Sequence, residues 1–309
     1  MGKYILRRLL QMIPVIIGTT FLLYVLSFAL PGEPWDNRCG ERACSPTYIA
    51  WFKTTYNLDK PLLVQYVLYL GKLLHGDLGT NYYNNSVAGE LAARYPTTIK
   101  LALIAIIFEI IIGILAGVLA GINKGRFIDS FVTVASLVII SIPIFVIGGM
   151  AQWAILKLHL NNVIPVTAAA GTLNQLILPG LVLGSLSVAY AARLTRTNLV
   201  ENLRADYVRT AKAKGLSSST IIGVHTLRNS LIPVVTFIGF DFGGLMGGAI
   251  VTERLFNING IGGFIYRSII QKDGVSVVGA ITVLVLVYLV VNLLVDVLYG
   301  VLDPRISHE

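Results

Sequence analysis

The chain has 309 residues, of which 55% are hydrophobic and only 13% are charged, and its mean hydropathy is +0.75. A soluble domain cannot carry so few charges over so much apolar surface, so the composition indicates a polytopic membrane protein. The net charge of +8 does not indicate a nucleic-acid partner, because the lysines and arginines cluster in short segments beside apolar runs.

Windowed hydropathy predicts six membrane-spanning helices, each long enough to cross a hydrocarbon core of about 30 Å. The first begins after a short basic segment, and its apolar run is long enough for a retained helix instead of a cleaved signal peptide. The fold class is therefore all-α. The approximate limits of the six spans are 9–30, 98–122, 128–155, 176–196, 230–252 and 275–300.

An even number of spans places both termini on the same side, and the charge bias identifies that side. With the N-terminus inside, the inner segments carry 13 basic and five acidic residues, whereas the outer segments carry 10 basic and eight acidic residues. Lysine and arginine concentrate on the cytoplasmic side of membrane proteins. We therefore expect a multi-pass protein of the cell membrane with both termini in the cytoplasm.

This topology divides the chain into three regions. Residues 1–97 hold the first span and a long outer loop, residues 98–300 form a five-helix core, and residues 301–309 form a cytoplasmic tail. Within the outer loop, residues 61–75 place apolar side chains at helical spacing on one face, but the segment is too short to span. We expect this helix to lie in the membrane interface or to pack on the bundle.

Cys39 and Cys44, the only two cysteines, lie in the outer loop. Because the outside is oxidising and only a short loop would be closed, we predict a disulfide, with two free thiols as the alternative. Four scattered histidines add no ligand spacing, so no metal site is predicted. No P-loop motif and no catalytic constellation occurs, so we expect neither ATP binding nor enzymatic activity in this chain.

Glu109, Asp241 and Asp296 are acids inside predicted spans. Charged groups in a membrane are costly and often mark a transport pathway. The alternative is that each acid faces the bundle and is paired or protonated there. We single out Asp241 and Glu109 as pathway candidates, and Asp241 first, because it lies among closely spaced glycines.

A polar, basic segment, residues 198–229, separates the fourth and fifth spans. Residues from Asn202 to Lys214 favour helix, Gly215 stands where a helix end requires positive φ, and Ser217 can cap a second short helix. The pattern predicts helix, turn and helix across the cytoplasmic face. A topology signal would need only the charge, so the ordered pattern favours the docking of a soluble partner.

The order Asp-Tyr-x-Arg-Thr-Ala-x-Ala-Lys-Gly-Leu is complete over residues 206–216. It resembles the ATPase-docking loop of peptide importers of the ATP-binding cassette (ABC) class, although the general Glu-Ala-Ala form of that loop is matched only in part. Blocks at residues 30–34 and 253–262 resemble the same family, so the resemblance covers nearly the whole chain. The loop residues that carry it are Asp206, Tyr207, Arg209, Thr210, Ala211, Ala213, Lys214, Gly215 and Leu216.

The resemblance implies a type I ABC importer permease with a cytoplasmic coupling helix, which forms half of a pathway for peptides, dipeptides above all. It implies a second, similar permease, two cytoplasmic ATPases and an extracytoplasmic peptide-binding protein as partners. ATP and Mg²⁺ would be bound by the ATPases, with no cofactor in this chain. The side that receives the binding protein would include Glu253, Phe256, Gly260 and Gly262.

A second hypothesis from the residues is an ion-coupled secondary transporter that uses Glu109 or Asp241. Such carriers often contain internal repeats, and no repeat is evident here. A docking loop would also have no purpose in a carrier of that class. We therefore expect the importer permease.

Overall fold

The structure is a computed structural model that describes residues 2–28, 35–39 and 43–302. The 30–34 block, and residues 303–309 of the predicted tail, lie outside these ranges. Within them the fold is helical, with no β-strand beyond one isolated bridge between Thr80 and Ser86. The all-α prediction is therefore confirmed.

Thirteen α-helices follow one another in the described ranges. Their limits are α1 Gly2–Phe28, α2 Pro46–Thr55, α3 Leu62–Leu74, α4 Val87–Phe108, α5 Ile114–Ile122, α6 Phe127–Ser141, α7 Ile144–Lys157, α8 Leu173–Asn202, α9 Asp206–Ala213, α10 Ser218–Thr220, α11 Leu227–Leu255, α12 Ile261–Ile270 and α13 Gly274–Leu302. Two π-helical segments, Glu109–Gly113 and Ile221–Thr226, join α4 to α5 and α10 to α11, so each of these pairs forms one helical path.

Five helical segments in the described ranges are long and apolar enough to cross a membrane, and they coincide with five of the six predicted spans. Their limits are Ile5–Phe28, Val87–Ile122, Leu173–Asn202, Ser218–Met246 and Gly274–Val297. The second of them begins at Val87, so the predicted division at residues 97 and 98 falls inside α4 instead of between two elements.

The third predicted span, 128–155, is not one straight helix. α6 ends at Ser141 and α7 begins at Ile144, and the two helices are bent by 104° relative to each other. Ile142 has extended angles, φ −96° and ψ 126°, because the ring of Pro143 disfavours a helical conformation in the residue before it. If α6 and α7 cross the membrane together, they form the third span, and the total number of spans in the described ranges is six.

α8 is the most buried of the spans and packs against α4, α5, α6 and α11. One close approach is at Gly117 on α5, where a methyl group would lie 2.5 Å from the carbonyl oxygen of Ala192 and from Cβ of Thr195. Gly113 and Gly121 face α8 in the same way. The four-residue glycine spacing therefore serves close helix packing in this pair.

The outer-loop helix α3 packs on the first span through one face. The Tyr66 side chain is buried, and its hydroxyl lies 2.8 Å from Oγ1 of Thr20 and donates to the Ile17 carbonyl oxygen at the same distance. A row of apolar side chains on α3 stays exposed, namely Leu63, Val67 and Leu74. α3 thus packs on the bundle, one of the two predicted arrangements, and leaves an apolar row open at its surface.

Candidate functional site

The predicted docking loop contains one short helix, α9, that begins at Asp206. The helix predicted from Asn202 onward is interrupted, because α8 ends at Asn202 and a turn over residues 203–205 precedes α9. The Tyr207 hydroxyl donates to Oδ1 of Asn202 across this turn at 2.9 Å. The end of the fourth span and the docking helix are therefore tied together by a polar contact that the sequence pattern did not reveal.

One face of α9 is buried against the segment that follows it. Val208 and Ala211 form a small apolar cluster with Ile221, at the start of the second π segment. Ala211 is therefore a packing residue, and the family pattern alone did not assign it that role. The i, i+3 spacing of Val208 and Ala211 is the sequence signal that could have identified this face.

The opposite face of α9 is open and polar. The side chains of Asp206 and Arg209 are 95% and 78% exposed and form a loose ion pair at 3.5 Å, which contributes little to stability. Four further basic residues of the docking loop are exposed, namely Lys212 on α9, Arg204 before it, Lys214 after it and Arg228 at the start of α11. This basic face, defined by these six residues, can bind a partner without unpacking the loop.

Gly215 ends α9 with φ of +78°, as the sequence predicts. The Gly215 N–H donates to the Lys212 carbonyl oxygen at 3.0 Å, and the Leu216 N–H donates to that of Ala211 at 3.2 Å. These two bonds form a Schellman motif, which satisfies carbonyl groups at the helix end. A Cβ at Gly215 would meet no atom within 4 Å, so glycine is required there by backbone conformation alone.

The second short helix of the loop is not a separate element. Ser217 caps it, with its Oγ accepting from the Thr220 N–H at 3.3 Å, but the helical path then continues through the π segment into α11. The sequence pattern missed this continuity because π geometry has no clear sequence signature. As a result, α9 packs directly on the end of the helix that forms the fifth span.

The outer block, which the resemblance assigns to the side that receives the binding protein, is buried within the chain. Its residues are Glu253, Phe256, Gly260 and Gly262. The Glu253 carboxylate accepts from Thr98 Oγ1 at 2.6 Å and from the Gly263 N–H at 2.8 Å, which ties the turn after α11 to α4 and caps α12. The buried block therefore supports the turn from inside the chain. The residues exposed around this turn are Arg254, Asn257 and Asn259.

A buried ion pair ties the outer loop to the start of α13. Nη2 of Arg38 lies 2.5 Å from Oδ1 of Asp273, with 3% and 1% of the two side chains exposed. Asp273 also accepts from the Tyr82 N–H and the Ser276 hydroxyl, each at 2.7 Å. The pair joins residues 235 positions apart, so no local pattern could have identified it.

Cys39, next to Arg38, forms a disulfide with Cys44, and their Cα atoms are 5.3 Å apart. We expect neither thiol to be alkylated in protein prepared from membranes without reductant, because the bond closes a short loop on the predicted oxidising side. Mass spectrometry after alkylation, with and without prior reduction, measures this directly. Both cysteines freely alkylated in unreduced, folded protein would contradict the assignment.

The structure brings together two of the three acids in the spans. Glu109 is fully buried at the start of the first π segment, a geometry often found at functional sites. Asp241 of α11 lies close enough to act on it electrostatically. Asp296 is elsewhere, and its Oδ2 pairs with Nε of Arg8 at 3.3 Å. Across the described ranges, no group of three or more His, Cys, Asp or Glu side chains could hold a metal ion.

Comparison with known proteins assigns both halves of the chain to one kind of protein. A family model described as "Binding-protein-dependent transport system inner membrane component" matches residues 113–308, and the N-terminal model of the same kind matches residues 1–102. The chain is 37% identical over 335 residues to a dipeptide transport system permease protein of Alkalihalophilus pseudofirmus, and 35% over 340 residues to one of Escherichia coli K12. It is 34% identical over 310 residues to a glutathione transport system permease protein of Salmonella typhimurium. Each match covers the whole of both chains.

Proposed function

The chain belongs to the family of binding-protein-dependent transport system inner membrane components, and we propose that it forms half of the membrane pathway of an ATP-driven importer for dipeptides or similarly short peptides. It is a multi-pass permease subunit with the helical fold of type I ABC importers. The observation that carries the proposal is the basic face of α9, which is displayed beside a Schellman turn at Gly215 in the loop that resembles the ATPase-docking loop of this class.

The importer is a system of several subunits, and the chemistry of this chain indicates what the others supply. The basic face of α9 fits a groove on a cytoplasmic ATPase, and two such ATPases would bind the ATP and Mg²⁺. A second, similar permease would complete the pathway, and an extracytoplasmic binding protein would deliver the peptide. In this proposal the chain lies in the cell membrane with α9 and both termini in the cytoplasm, an orientation that the charge bias supports.

The packing around α9 supports a route for coupling. When ATP closes the two ATPases, the helix held in their groove moves with them. Val208 and Ala211 then transmit the motion to Ile221, and the helical path from Ile221 continues into the fifth span. The contact of Tyr207 with Asn202 links the same helix to the end of the fourth span. Movement of α9 is therefore expected to shift both the fourth span and the fifth span, to which Asp241 belongs.

Family membership gives no support to the ion-coupled carrier. That hypothesis rested on Glu109 and Asp241, and acids in a span occur in either class. What distinguishes the classes is the energy source, so uptake by an importer is expected to stop when ATP is depleted while a proton gradient persists.

We expect the purified chain to be inactive alone, because it provides half of a pathway and carries no P-loop motif. Reconstituted singly in proteoliposomes, it should bind no ATP and transport no labelled dipeptide. Co-reconstitution with a second permease, the ATPases and the binding protein should give ATP-dependent uptake. Uptake by the chain alone at the rate of the complex would refute the proposal.

A further inference from the structure

A cavity of about 480 Å³ lies against the fourth and fifth spans and includes Asp241 in its wall. Ser187, in the middle of α8, and Asp241, in the middle of the predicted fifth span, form its polar part. Tyr190 and Phe237 line it as well, with ring centroids 6.3 Å apart. The cavity thus combines one carboxyl group and a hydroxyl group with mainly apolar walls, which is the arrangement of a site that orients a small ligand.

Behind Asp241 lies Glu109, with no exposed surface. By strict geometry, neither oxygen of the Glu109 carboxyl nor Oδ2 of Asp241 has a hydrogen-bond partner in the described ranges, although the Asp241 carboxyl lies close enough to interact with both Ser187 and Glu109. The Asp241 carboxyl lies beside Glu109, and none of the ion pairs in the described ranges joins either carboxyl to a lysine, arginine or histidine. Two neighbouring carboxyls without a cation are costly in a membrane, whereas a cation beside them removes much of that cost.

We propose that Asp241, supported by Glu109, binds the α-ammonium group of the peptide as it passes this cavity, which the fourth and fifth spans present to the pathway. The ammonium group is a compact cation that every free peptide carries whatever its side chains, and it donates three hydrogen bonds. The apolar walls of the cavity tolerate different side chains, so the site selects the peptide class and not one sequence. A metal ion fits less well, because no group of three or more His, Cys, Asp or Glu side chains in the described ranges could hold one.

This inference rests on the proposed peptide transport, so the test compares two substrates in the complete importer. The substrates are a dipeptide and its des-amino analogue, which has the same shape without the ammonium group. Each is supplied at a concentration that saturates the binding protein, so that affinity for the binding protein does not set the rate. Uptake is measured for the wild-type complex and for complexes with Asp241→Asn or Asp241→Glu.

The wild-type complex is expected to transport the dipeptide about tenfold faster than the analogue. This ratio corresponds to the free energy that one hydrogen bond to a charged group contributes. Asp241→Asn should lower dipeptide uptake to the rate of the analogue and leave the analogue unchanged, whereas Asp241→Glu should retain part of the preference. The matched control is Asp296→Asn, an acid in another span that pairs with Arg8, and it should keep the wild-type ratio.

A second measurement does not depend on the fold of the Asp241 variants. The two cysteines of the chain are bonded to each other, so Ser187→Cys introduces one free thiol into the cavity wall. The dipeptide should slow alkylation of that thiol in the assembled complex, and the analogue should not. Three outcomes would overturn this inference but leave the proposed function standing. They are equal protection by both compounds, an equal loss of both uptake rates in Asp241→Asn, and no preference for the dipeptide in the wild type. A wild-type complex that transports neither compound would overturn the proposed function and this inference with it.

Discussion

Replacing Gly215 with valine is expected to abolish peptide uptake and substrate-stimulated ATP hydrolysis while membrane levels of the protein stay normal. Gly215 has φ of +78°, where a side chain with Cβ costs about 1–2 kcal/mol and a β-branched one is least tolerated. The backbone relieves this strain by leaving the Schellman turn, which moves α9 relative to Ile221. The spans pack independently of this turn, so insertion should not change, and the lost property is the fit of α9 to the ATPase.

Two variants separate backbone strain from other causes at this turn. Asparagine adopts positive φ more readily than other residues, so Gly215→Asn should keep most of the uptake, and Gly215→Ala should lie between asparagine and valine. Gly125, in another predicted inner loop, also has positive φ (+76°), and a Cβ added there would meet no atom within 4 Å. Gly125→Val should therefore retain uptake. Wild-type transport in Gly215→Val would mean that the loop only sets topology.

Replacing Gly262 with alanine is expected to destabilise the outer end of the bundle severely. A methyl group there would lie 2.5 Å from Cα and 2.7 Å from the backbone nitrogen of Ile250, so it would force α12 away from α11. Overpacking of a well-packed contact costs about 1–3 kcal/mol, and here the obstructing atoms are backbone, which cannot change rotamer. The measurement is the temperature at which the solubilised permease aggregates, together with its level in the membrane.

The matched control for Gly262 is Gly149 in α7, where an added methyl group meets no atom within 4 Å. Gly149→Ala should leave the aggregation temperature unchanged or raise it slightly, because alanine favours helix by up to about 1 kcal/mol over glycine. Equal stability of Gly262→Ala and Gly149→Ala would show that α12 does not lie on α11 as described. Gly262→Ala also tests whether the outer block stabilises the chain through packing, because this change leaves the exposed residues of the turn intact.

Local patterns predicted much of this fold. Five of the six spans coincide with runs of apolar residues, because a helix that crosses a membrane must be apolar along its length. The end of α9 at Gly215 was predictable for a similar reason, since the need for positive φ at a helix end is a property of one residue and its neighbours. The bend between α6 and α7 also has a local cause at Pro143, but hydropathy averages over a window and does not resolve it.

Position in the sequence was a poor guide to exposure in two places. The family pattern treats Ala211 and Gly215 alike, yet the first is a buried packing residue and the second is an exposed turn. The outer block was expected to face the binding protein, yet Glu253 is fully buried and caps α12. An acid at the end of a span suggests a surface residue. Glu253 can be buried because Thr98 and the N-terminus of α12 donate hydrogen bonds to its carboxylate.

By itself, the sequence determined the class of protein, the approximate limits of five spans and the turn at Gly215. Each of these depends on hydropathy or backbone preference within about 20 residues. Only the tertiary structure decided that Asp241 meets Glu109, that Arg38 meets Asp273 and that α9 packs on the helix of the fifth span. Those contacts join residues on different elements, and they depend on which helix faces pack together, because the lipid solvates any apolar face and so does not select among them.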